Sequence, residues 1–315
     1  MPLFNKKTLQ KHLPKKPAIP PEHLSVVKNW KAQINNGTFN VMKETSVHSS
    51  FMQQIMVKLL GYSSVGSVPE GEPFTIAQEF KIGKGPVDLA LGEFYNHDDP
   101  SSIFAPLELK GASAKNLDSL IPGRHETPVE QAFRYSASMK GAKWVLLSNY
   151  IEFRLYATSE GNLVYESFLL ENLTDPYEYA KFYLLLNRES FLSGKTETLL
   201  KESENADKDI SDKLYVDYKF LREYMLANMI SDNPEYQPAE LIYPAQKLLD
   251  RILFLSFAED KGLIPDNSIK NAFEHNDPYN PKPIYQNFIG LFNAIDKGNK
   301  QLDIPAYNGG LFEMA

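Results

Sequence analysis

The residues whose types and spacing could do chemistry lie in two short apolar segments, GPVDLAL at 85–91 and PLELKG at 106–111. Side chains in a strand alternate between faces. LELK at 107–110 therefore sends Leu107 and Leu109 to one side and Glu108 and Lys110 to the other. A carboxylate and an ammonium group on one face of a buried strand are costly to desolvate, and Asp88 inside VDLAL repeats the anomaly on a neighbouring segment. Two carboxylates meeting across paired strands would repel unless a cation lay between them. Hard oxygen ligands of this kind select Mg²⁺ or Mn²⁺.

Side chains so far apart in sequence meet only if a sheet brings them together. From 73 to 170 the segments FTIAQEF, VDLALGEF, APLELKG, KWVLLSNY, EFRLYAT and NLVYESFLL are short and rich in β-branched or aromatic residues. Turn-formers such as KIGKG, NHDDPSS and TSEGN separate them. A helical stretch at about 127–140, TPVEQAFRYSASMK, divides the third strand from the fourth, with Thr127 as cap and Pro128 in the first turn. Upstream, helices are predicted at about 25–35 and at about 44–60, the latter ended by Gly61. Strands interrupted by a crossover helix describe an α/β fold, a mixed central sheet flanked by helices.

With the strands in place, Asp88 followed twenty residues later by Glu108-x-Lys110 resembles the PD-(D/E)XK nuclease signature, with Pro86-Val87-Asp88 as a slightly stretched PD. The resemblance implies a restriction-endonuclease-like fold and a magnesium-dependent DNA endonuclease. In such a site Asp88 and Glu108 bind the metal, helped by the backbone carbonyl of Leu109. Lys110 positions the attacking water and helps to lower its pKa. Gln131 and Tyr135, four residues apart on one helical face, resemble the QxxxY motif of many of these nucleases, which orients the site and contacts the DNA backbone. Glu44 stands where many relatives carry an acid that completes the metal environment, and Glu79 is its rival. Plainer readings stay open beside these. Asp88 and Glu108 could be solvated strand-edge acids, Gln131 and Tyr135 could pack a helix on the sheet, and Glu44 could serve the helix dipole.

Composition limits the other classes. The absence of cysteine removes disulfides, thiolate metal sites and cysteine nucleophiles, and fits a cytoplasmic protein. No apolar run is long enough to span a bilayer, so no membrane partner is expected. The histidines, among them His48, His97 and His125, show no ligand spacing, and Gly309-Gly310 lacks the Lys-Ser/Thr of a phosphate loop. A formal net charge of −7 runs against tight autonomous grip on double-stranded DNA.

The C-terminal part reads as helical. The polar stretch SGKTETLLKESENADKDISD is expected to be a linker or an exposed helix pair, and AELIYPAQKLLDRILFLSFAEDKGLI a central buried helix. Its LLDRILFLSFAEDKGLIP at 248–265, with YNGGLF at 307–312, resembles type IIG restriction–modification enzymes, where a nuclease domain precedes a helical connector. Residues 1–25, rich in Lys and Pro, read as a leader that packs late or frays, and the organisation expected after it is a nuclease-like domain at 26–200 and an all-α connector at 201–315. The sequence departs from that family in having no NPP[YF] motif, since Asn233-Pro234-Glu235-Tyr236 lacks the second proline. On the resemblance, S-adenosylmethionine belongs to a methyltransferase domain beyond residue 315. One metal site per chain cuts one strand, so transient self-association is expected for double-strand cleavage. Two rivals remain: a catalytically silent nuclease-like module that positions DNA or partners in a defence complex, and a methyltransferase with a helical clamp.

Overall fold

The computed structural model describes residues 2–82, 85–95, 103–139, 141–307 and 309–313, apart from the side chains of Glu44 and Ile82. The turn expected around NHDDPSS, with His97, lies outside the described residues. The chain divides into two compact units, Met1–Asp209 and Ile210–Ala315.

The first unit is built on one sheet. Strands β1 (Phe74–Ile82), β2 (Gly85–Phe94), β3 (Ile103–Leu109), β4 (Trp144–Ser148), β5 (Glu152–Ala157) and β6 (Glu166–Leu169) lie side by side in sequence order. All neighbours pair antiparallel except β3 and β4, which are parallel and connected through helix α5 (Pro128–Ala137). A parallel pair needs such a crossover, because a tight turn can join only antiparallel strands. The fold is thus α/β with a mixed sheet and flanking helices.

Alternation sorts the sheet's side chains. Leu107, Leu109, Leu146 and Leu155 enter the main core with residues of α2 (Pro21–Asn35) and α6 (Pro176–Leu186). Val145, Leu147 and Tyr156 face the other way and pack against Val129 and Ala132 of α5. Glu108 belongs to this second face, under α5. The helix begins as its sequence requires: the Thr127 side chain accepts from the Glu130 N–H at 3.1 Å, and the Glu130 carboxylate accepts from the Thr127 N–H at 2.7 Å.

Three expectations need correction. The N-terminal segment does not fray: Leu3 and Phe4 are buried, Phe4 stacks on Trp144, and both backbone N–H groups donate to the buried carboxylate of Glu166. The polar stretch after 193 is neither linker nor helix pair but part of one helix, α8 (Lys195–Asp232), which contains no Gly or Pro to break it. In the second unit α9 (Pro238–Asp260) is not buried all round. Leu241, Ala245, Leu255 and Ala258 form its inner stripe, while Ile242, Tyr243, Leu253 and Phe257 are exposed. Leu255 and Ala258 pack with Leu291, Phe292 and Ile295 of α11 (Ile284–Lys297).

Candidate active site

Sheet order places both acid-bearing strands in the interior, β2 between β1 and β3, and β3 between β2 and β4. Neither Asp88 nor Glu108 is therefore an edge-strand acid. Leu89 pairs with Leu107, which sets Asp88 beside the Glu108–Leu109 peptide, and the Asp88 carboxylate accepts the Leu109 N–H at 2.7 Å. Lys110 lies just past the end of β3, its N–H donating to the Ser148 carbonyl at 2.8 Å.

Above the sheet three side chains close a triangle. The Lys110 ammonium donates to Glu108 Oε1 at 2.7 Å and to Gln131 Oε1 at 2.9 Å, and Gln131 Nε2 donates to Glu108 Oε1 at 2.6 Å. Glu108 is 3% exposed and Gln131 5%, so this network sits where unpaired polar atoms are heavily penalised. Yet Glu108 Oε2 is buried with no hydrogen-bond partner among the described residues. Burial pushes the Glu108 carboxyl up, the nearby Asp88 charge pushes it further, and Lys110 pulls it back only partly, leaving it at about 7.

A divalent cation fits this arrangement. It would take up the orphaned oxygen and remove the repulsion between Glu108 and Asp88. Among the described residues no group of three or more His, Asp or Glu side chains converges at metal-ligand spacing. Two carboxylates and a carbonyl leave much of an octahedral shell to water and substrate, which is how Mg²⁺ is usually held.

The other expected residues are less central. Tyr135 is one turn beyond Gln131 on α5, and a Cβ at Gly85 would lie 3.6 Å from its hydroxyl, so the ring approaches the start of β2. Glu79 sits on the rung opposite Asp88, between the pairs Gln78–Leu89 and Phe80–Val87. It is exposed and holds φ at 46°, a left-handed conformation rare for a residue with a side chain. Glu44 begins α4 (Glu44–Phe51), and its side chain lies outside the described residues. Leu109 contributes its N–H to Asp88, and its side chain lies in the core.

In the second unit the two C-terminal motifs meet through Arg251. Its guanidinium donates to the Leu311 carbonyl at 2.8 Å and the Glu313 carbonyl at 3.1 Å, and lies against the rings of Phe292 and Phe312. Tyr307 donates its hydroxyl to the Leu263 carbonyl at 2.7 Å. The Glu259 carboxylate accepts from the N–H groups of Asn267 and Ile269, at the start of α10 (Ser268–Glu274). Residues 244–312 match the family model of the MmeI helicase spacer domain. The match takes in most of α9, Arg251 and the whole of the closing YNGGLF, and it links the chain to type IIG restriction–modification enzymes. No curated protein and no solved structure matches the chain. The MmeI spacer match leaves the first unit untouched, and the case for Glu108 and its neighbours stands on geometry.

Sequence reasoning missed how the loop at 111–127 is held. Arg154, 6% exposed, donates to both carboxylate oxygens of Asp118 at 2.9 and 3.0 Å, and to Glu152 at 2.7 and 3.2 Å. Asn149 Nδ2 donates to the Ala114 carbonyl at 2.9 Å. An arginine embedded in EFRLYA was the available signal, since a buried guanidinium requires acidic partners.

Proposed function

We propose that the Met1–Asp209 unit is a magnesium-dependent DNA endonuclease that hydrolyses phosphodiester bonds, the cutting part of a type IIG-like restriction–modification enzyme. The observation that carries this reading is the unpartnered, buried Oε2 of Glu108 beside a second carboxylate, in a network otherwise closed by Lys110 and Gln131. The DNA substrate is favoured by the MmeI spacer match in the second unit.

Asp88 and Glu108 would hold the cation, with the Leu109 carbonyl as a third donor. When bound, Mg²⁺ supplies positive charge beside the scissile phosphate and lowers the pKa of water. The chain's own residues do the positioning. The Leu109 N–H fixes the Asp88 carboxylate, and Gln131 holds Glu108 and Lys110 in mutual register. The Lys110 ammonium, 19% exposed in its side chain, is the cation positioned to orient an attacking water. Two copies would have to meet to cut both strands.

The test is nicking of supercoiled plasmid by the intact protein with Mg²⁺. Asp88→Ala, Glu108→Ala and Lys110→Ala are each expected to abolish cutting while tryptophan fluorescence keeps its native signature. If all three variants cut at the wild-type rate, the assignment is wrong. If the unaltered protein never cuts, the catalytically silent module becomes the better reading.

A further inference from the structure

Beside the acidic centre lies a cationic feature that its chemistry does not use. Arg134 follows Gln131 by three residues on α5, so it shares the side of the helix that reaches Glu108. Its Nε and Nη2 both donate at 3.1 Å to the two carboxylate oxygens of Glu126, a forked pair, and its guanidinium lies over the ring of Tyr135 at 4.9 Å. Arg124 Nη1 approaches the same Glu126 carboxylate at 3.6 Å. Two guanidinium groups thus share one carboxylate and leave a net positive charge. About half of each arginine side chain is exposed, 56% for Arg124 and 48% for Arg134. Arg124, His125 and Glu126 line an open depression of about 480 Å³.

The backbone that presents these cations is fixed. Ile121-Pro122-Gly123-Arg124 forms a tight turn, with the Arg124 N–H donating to the Ile121 carbonyl at 2.9 Å and Gly123 at φ 78°. Proline second and a left-handed glycine third are what a type II turn demands. The Ile121 N–H donates to the Glu126 carbonyl at 3.0 Å. Further back, Leu117 is fully buried and Asp118 is clamped by Arg154, and the capping box of α5 begins at Thr127. A surface loop anchored at both ends in this way holds its charges ready for a ligand, with little ordering left to be done on binding.

From this placement we infer that Arg124 and Arg134 form a phosphate-binding rim, which seats a backbone phosphate of DNA next to the one being cut. A forked guanidinium–carboxylate pair has the geometry of a guanidinium–phosphate pair, so the Glu126 carboxylate occupies the position and charge that a phosphodiester would take. The rim answers a problem the centre creates, because Asp88 and Glu108 repel the strand that must approach them. In the free protein Glu126 braces the two arginines and competes with that strand. The inference rests on the nuclease reading for the identity of the ligand, and on the loop geometry for its place.

The experiment measures binding of the intact protein to a short fluorescein-labelled DNA duplex by fluorescence anisotropy, in Ca²⁺ without Mg²⁺, across a range of salt concentrations. Arg124→Ala and Arg134→Ala should each weaken binding roughly fivefold and flatten the dependence of log affinity on log salt by about 0.9, the loss of one phosphate contact. Glu126→Gln should act in the opposite direction and tighten binding several-fold, which a merely structural brace would not do. Equal affinity and equal salt slope in the arginine variants and the unaltered protein overturn the rim, as does an unaltered protein without salt-sensitive binding. Binding that follows this pattern in a protein that never cuts in Mg²⁺ would refute the nuclease reading and leave the rim standing.

Discussion

Replacing Glu108 by glutamine should make the metal-free protein more stable at neutral and alkaline pH. The native carboxyl is raised from an ordinary 4.5 to about 7 by burial and by Asp88. Between those values the native state keeps a proton that the unfolded chain has released. Stability therefore falls as pH rises through that window, and the loss is complete above about 7. At 1.36 kcal/mol per pH unit, the ionised carboxylate costs about 3 kcal/mol at pH 8. Glutamine keeps the shape and a hydrogen-bonding oxygen but not the charge, so the variant should match the wild type near pH 4 and exceed it by about 3 kcal/mol near pH 8. Both tryptophans, Trp30 and Trp144, are buried in the first unit, so their fluorescence reports its unfolding alone. In EDTA, the urea midpoint of Glu108→Gln should exceed that of the wild type by about 1 M near pH 8 and converge with it near pH 4. Added Mg²⁺ should narrow the gap by stabilising the wild type preferentially. Parallel pH profiles for the two proteins would refute the claim that Glu108 is an uncompensated acid.

Three other perturbations test separate parts of the structure. Gln131→Ala removes the bridge between Glu108 and Lys110, and cutting should fall about 10–100-fold, the usual loss when a group orienting a metal ligand is deleted; an unchanged rate in plasmid nicking would make Gln131 a packing residue. Arg251→Ala leaves the Leu311 carbonyl without the Arg251 donor and the Glu313 carbonyl with the Lys247 ammonium in its place, and it removes the ring contacts, so it should destabilise the second unit by about 3 kcal/mol. Hydrogen exchange should show faster exchange in α9 and α11 with the tryptophan transition unmoved, and Arg251→Lys should rescue poorly, because an ammonium cannot reproduce the fork or the ring contacts. At Glu79, the left-handed backbone should make Glu79→Gly more stable than Glu79→Ala by about 1 kcal/mol in urea unfolding. The reverse order would mean that the strand relaxes freely.

Local periodicity made much of this readable. The six strand segments stood out because turn residues bound them. The ELK alternation correctly separated Leu107 and Leu109 from Glu108 and Lys110, because a period of two leaves no other arrangement. Thr127 and Pro128 marked the start of α5 within a residue. What escaped depends on contacts distant in sequence. Nothing near Leu3 and Phe4 announces that Glu166, more than 160 residues away, accepts their N–H groups. Arg154 and Asp118 are separated by 36 residues and a helix. The polar run in α8 misleads because high charge suggests a connector, although a charged sequence free of Gly and Pro can remain helical over many turns. The apolar circumference of α9 misled in the opposite sense, since hydrophobicity alone does not say which face finds a neighbour.

The acidic balance of the chain and a DNA substrate are compatible once the charges are located. Asp88 and Glu108 contribute to the net charge of −7, but they stand side by side under α5 and not over the surface at large. Charges so close and so little exposed repel each other strongly, and until they are neutralised they also oppose an approaching strand. Inside the site that repulsion adds to burial in raising the Glu108 carboxyl, whose Oε2 has no partner among the described residues. On the proposed reading this makes cation occupancy and DNA affinity two faces of one equilibrium. Whatever neutralises the pair eases the approach of a phosphate, and a bound phosphate must by linkage strengthen the hold on the cation by the same factor.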